Sequence, residues 1–108
     1  MDIRYDTDTI IKEYLKLVRE KYTGFKKAFL FGSFAKGNSN PDSDIDIALI
    51  FESLKDDKRF DMQVELMLLA TQIDSRIEPH PLSIDDFNSG NPFIAEIQEF
   101  GVDILIDS

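Results

Sequence analysis

Apolar positions follow two periods along the chain. Between residues 8 and 22, Ile11, Tyr14, Leu15, Val18 and Tyr22 recur at steps of three and four, which predicts a helix with one apolar face. Asp6, Thr7 and Asp8 are candidate N-caps, and Gly24 marks the end. Ala28 to Phe31 is a short continuous apolar run that stops at Gly32, as suits a strand buried on both faces. From Asp44 to Phe51 the period becomes two: Ile45, Ile47 and Leu49 point one way, and Asp44, Asp46 and Ala48 the other. The helical period returns over residues 57–73. Phe60, Val64, Met67, Leu68 and Ile73 lie on or near one face, and Leu66, Leu69 and Ala70 widen it, so a long and well-buried helix is expected there.

Residues 76–82 read as a further strand. Pro79 and Pro81 lack amide donors, so that strand is expected to sit at a sheet edge or to end early. Ser83 can cap a short turn reaching Phe87, and Asn91-Pro92 has the form of a helix start. Phe93, Ile94 and Ile97 give that helix its apolar side, Gly101 ends it, and Val102, Ile104 and Ile106 alternate as a last strand. Residues 38–43 form a loop by composition. The succession predicts an α/β fold, a small mixed β-sheet with helices packed against it. With 108 residues it is expected to form a single domain over 1–108.

Composition narrows the function. Hydrophobic residues make up 43% of the chain, enough for a core and too many for a disordered segment. No apolar run approaches the ~20 residues needed to cross a bilayer, and the first residues lack a signal-peptide pattern. Cysteine is absent, which excludes disulfides and thiolate metal sites. A soluble cytoplasmic protein is the expectation. The 12 basic residues against 21 acidic ones give a net charge of -9, which argues against stable nucleic-acid binding. A single nucleotide remains compatible, because it needs only a few local donors and a metal. Most of the acids serve solubility.

The chemistry concentrates in residues 31–46. After the buried run, Gly32 permits close approach of a ligand to the backbone, and amides opening a following helix can face an anion. Ser33 adds a hydroxyl and Lys36 a positive charge, completing the equipment for holding a polyphosphate. Asp44 and Asp46 are two residues apart on a strand, so they share a face with Cα atoms roughly 6.5–7 Å apart. Carboxylates at that spacing can converge on one or two hard cations, and Mg²⁺ is typically held by one or two carboxylates plus substrate phosphates. Two competing motifs fail. Gly32 and Gly37 have Walker A spacing, but Asn38-Ser39 replaces the required Lys-Ser/Thr. Asp42, Asp44 and Asp46 imitate a calcium loop, but Ile47 stands where glycine is needed and Ser53 where glutamate is needed.

Gly32-Ser33, Lys36-Gly37 and Ser43-Asp44-Ile45-Asp46 together resemble the signature of the DNA polymerase β-like nucleotidyltransferase superfamily, and the size is like that of its minimal nucleotidyltransferase branch. The resemblance implies the polymerase β-like nucleotidyltransferase fold. It also implies transfer of AMP from ATP to an acceptor hydroxyl, with two Mg²⁺ ions. Asp44 and Asp46 would be metal ligands, and Gly32, Ser33, Lys36 and Ser43 would contact the nucleotide. A third carboxylate is implied on a later strand, and Glu78 is the candidate. His80, two residues on, is placed to share the face of Glu78, but a lone histidine reads first as a surface or structural residue. The acceptor implied is a partner protein, an HEPN-type toxin for which this chain would be the antitoxin, and a homo-oligomer is compatible. The alternatives are a small-molecule nucleotidyltransferase of the antibiotic-modifying kind and a non-catalytic nucleotide-binding subunit.

Overall fold

A computed structural model describes residues 3–32 and 43–104 of the chain. The first helix, α1, spans Ile3–Lys21 and begins five residues earlier than the periodicity predicts. No proline or glycine lies upstream to stop it, and once nucleated a helix extends at little cost. Asp6, Thr7 and Asp8 therefore sit inside the helix rather than capping it, and Thr7 is buried.

The strands are β1 (Phe25–Phe31), β2 (Ile45–Phe51), β3 (Ile77–Ser83) and β4 (Val102–Ile104), in the spatial order β3-β2-β1-β4. β1 runs antiparallel to both β2 and β4, whereas β2 and β3 are parallel. A parallel pair needs a crossover, and α2 (Asp56–Thr71) supplies it. Beyond β3 come the short α3 (Ile84–Phe87) and then α4 (Pro92–Phe100). Ser83 caps α3 through a reciprocal pair of bonds with Asp86, and Asn91 Oδ1 accepts from Phe93 N at 2.8 Å at the start of α4. Ile106 lies outside the described residues, so the alternation expected of the last strand is seen only as far as Ile104.

Each face of the sheet has its own core. Ile45, Ile47, Leu49 and Phe51 meet Ile11, Tyr14, Leu15 and Val18 of α1 and Leu66 and Ala70 of α2. On the other face Phe29, Phe31, Ala48 and Ile50 pack with Ile94 and Ile97 of α4. Full burial of one such aliphatic side chain contributes about 1.5–3 kcal/mol, so the alternation of β2 is sufficient to hold its register.

β3 is an edge strand, and its prolines explain how. The Pro79 carbonyl accepts from Gln63 Nε2 at 2.8 Å and the Pro81 carbonyl from Arg59 Nη1 at 3.5 Å. The missing amides of these two residues thus fall on the side where no strand pairs among the described residues, and α2 covers that side. Arg59 also bonds Asp86 at 2.8 Å and Asp56 at 3.1 Å, joining the start of α2 to α3.

The face assigned to α2 by periodicity is corrected by the structure. Leu66 and Ala70 are buried, with Met62, Leu69 and Ile73 packed beside them, while Phe60 is 76% exposed, Leu68 61%, Met67 47% and Val64 39%. The helix carries apolar stripes on opposite sides, and periodicity alone does not select between them. Polar anchors make the choice. Gln63 and Arg59 reach the edge of β3, Tyr14 Oη donates to the Leu66 carbonyl at 3.0 Å, and Tyr22 Oη donates to Glu65 at 2.8 Å.

Candidate active site

Strand alternation places Asp46 on the α4 side of the sheet, at the second position of β2. It pairs across the antiparallel ladder with Phe31, the last residue of β1, and across the parallel ladder with Glu78. Glu78 and His80 alternate with buried Ile77, Pro79 and Pro81, so they share the face of Asp46. Ligand atoms of Asp46, Glu78 and His80 all lie within 4.8 Å of one another. Asp44 precedes β2 rather than opening it. Its side chain is exposed, within hydrogen-bonding reach of Glu78 and outside the tight group.

Both oxygens of Asp46 have neighbours that fix their direction. His80 Nε2 lies 3.2 Å from Oδ1. Oδ2 faces Gly32, where a Cβ would overlap the carboxylate. Gly32 also has φ +72°, a left-handed conformation that favours glycine. Any side chain at residue 32 would therefore be strained and would push Asp46 aside. The His80 ring is held in turn by Phe31, edge-on at 5.0 Å between centroids, and by Phe93 of α4 at 5.9 Å.

Partial burial pushes the Glu78 carboxyl above its ordinary range, and the negative charges of Asp46 and Asp44 add to the effect, with His80 opposing it. Crowded carboxylates of this kind suit a cation: they repel each other without one and become ligands with one. The oxygen donors of Asp46, Glu78 and nearby Asp44 match the preference of Mg²⁺.

Gly32, Asp46 and Glu78 meet at one end of adjacent strands, whereas Asp44, expected from its spacing to share the face of Asp46, lies outside the tight group. Ser43 is half-buried beside Asp44. Ser33 and Lys36, expected at the phosphates, lie outside the described residues. His80 is the addition. Its spacing from Glu78 on an edge strand was the available signal, and its contact with Asp46 depends on the parallel register of β2 and β3, which spacing within β3 does not specify.

Several known proteins are similar. A Methanocaldococcus jannaschii protein bearing the name protein adenylyltransferase is 46% identical over 41 residues, which span 37% of this chain and only 41% of that relative. A nucleotidyltransferase structure from Sulfolobus solfataricus superposes with a TM-score of 0.64 at 22% identity, covering 88% of this chain and 76% of the other. A toxin–antitoxin structure with AMP-PNP gives 0.61 at 21% identity, covering 90% and 74%. A Shewanella oneidensis complex of tri-AMPylated HEPN toxin with MNT antitoxin gives 0.55 at 20% identity, covering 98% and 74%. At these identities the structures establish a shared fold. The sequence itself goes further: residues 11–106, from within α1 to beyond β4, match the domain family described as polymerase beta, nucleotidyltransferase, and the chain belongs to that family.

Proposed function

We propose that this nucleotidyltransferase moves AMP from ATP to a hydroxyl on a partner protein, in the cytoplasm, as the antitoxin of an HEPN-type toxin. The observation that carries the reading is the convergence of Asp46 and Glu78 beside Gly32. The family gives the reaction type. The name of the M. jannaschii relative and the AMPylated toxin in the S. oneidensis complex support a protein acceptor.

Asp46 and Glu78, with Asp44 at the rim, would hold Mg²⁺. The ion would offset charge on the phosphate oxygens and on the leaving pyrophosphate. Asp46 is presented for that task with one oxygen fixed by His80 and the other toward Gly32. Gly32 lets the triphosphate approach the end of β1, and Ser33, Lys36 and Ser43 would hold its phosphates. In the transfer, the acceptor oxygen bonds to the α-phosphorus as the bond to the bridging oxygen breaks and pyrophosphate leaves. Glu78, grouped with Asp46 at the site, is the chain's own candidate to take the hydroxyl proton.

The test is to mix the protein with α-labelled ATP, Mg²⁺ and its co-purified partner, then locate the label. Label on a partner hydroxyl, lost in Glu78→Gln while ATP still binds, is the expected result, because a transition-state role lowers turnover more than affinity. Label on a small molecule, or an unchanged rate in Glu78→Gln, would contradict the proposal.

A further inference from the structure

α2 is apolar on two opposite sides, and among the described residues one side is covered while the other is exposed. Leu66 and Ala70 lie against the sheet. Phe60, Val64, Met67 and Leu68 follow one another at steps of four, three and one, forming a continuous stripe along the solvent side. Contiguous apolar surface of this kind marks an interaction site, whereas scattered single residues do not.

The charge beside the stripe identifies what fits. Asp57, Asp61 and Glu65 recur at steps of four, so they form a second exposed row bordering the first. Glu65 is held by Tyr22 and Lys21, while Asp57 and Asp61 have no ion pair among the described residues. A second copy of the chain is a poor occupant. Antiparallel pairing of two α2 stripes about a two-fold axis brings both acidic rows to the same side of the seam, and each copy carries a net charge of -9.

We propose that the outer face of α2 docks a partner protein through an amphipathic helix whose apolar stripe is edged by lysine or arginine. The sheet separates α2 from Asp46 and Glu78, which lie on the α4 side. A partner seated there leaves the candidate active site open, so the contact tethers a protein without blocking the chemistry. This inference stands on α2 alone and does not depend on nucleotidyl transfer.

The test uses two synthetic helical peptides with the same leucine stripe, one edged by lysine and the other by glutamate, titrated against the whole protein by fluorescence anisotropy. The lysine-edged peptide is expected to bind at least tenfold more tightly, with an affinity that falls as salt rises. Phe60→Ser with Leu68→Ser should abolish its binding and leave the circular dichroism spectrum unchanged. Asp57→Lys with Asp61→Lys should reverse the preference between the peptides. Equal affinity for both peptides, binding of neither, or an unreversed preference would overturn the proposal. So would a wild-type dimer in light scattering that Phe60→Ser with Leu68→Ser converts to monomer, since the stripe's occupant would then be a second copy.

Discussion

Asp46 owes its orientation to residues that do no chemistry themselves. Gly32 leaves room for one oxygen and His80 bonds the other. Gly32→Ala is therefore expected to destabilise the protein by about 1–2 kcal/mol through its left-handed backbone alone. It should also weaken ATP binding by displacing the carboxylate, so a urea titration and a nucleotide titration check both halves. Glu78 gives a pH-dependent prediction. Its carboxyl is raised above 4.5 in the folded protein, so the ionised form opposes folding while no cation is bound. That penalty is absent below the ordinary value of 4.5 and appears as pH rises through the raised one. In metal-free buffer, Glu78→Gln should melt higher than wild type at neutral pH and equally with it in acid below that value. A variant that melts lower at neutral pH would contradict the crowding.

Elements were legible in the sequence to the extent that one local rule decided them. β2 followed its alternation, α4 is capped by Asn91 and Gly101, and β3 lies at the edge, where the missing amides of Pro79 and Pro81 cost no ladder bonds. α2 resisted the same reading because its two stripes satisfy the helical period equally well, and anchors from other elements settle which one docks. One of those anchors can be measured. Tyr14 is fully buried, burial pushes its hydroxyl pKa far up, and it donates to the Leu66 carbonyl across the α1–α2 contact. Tyr14→Phe should cost about 0.5–1.5 kcal/mol in a urea titration. No loss would mean that this anchor contributes nothing to holding α2 in place. His80 resisted for a related reason, since a contact between strands depends on register that neither strand encodes alone.

At the scale of the molecule, the sheet divides two tasks. One side carries α1, α2 and the larger core, while the other carries α4 and the carboxylates beside Gly32. The family and the order of elements could be read from residues 32–46 and the two periods. The acceptor could not, because it is recognised by surfaces rather than by that motif. The central claim is that Asp46 belongs to a cation site shared with a nucleotide. A ligand that binds only the folded state stabilises it by about 2.7 kcal/mol at 100 times its dissociation constant. The direct measurement is thermal unfolding of wild type and Asp46→Asn with ATP, with and without Mg²⁺. Wild type should melt higher only when both are present, and Asp46→Asn should fold normally yet show no such gain. An equal gain in Asp46→Asn, or none in wild type at millimolar ATP and Mg²⁺, would contradict the account.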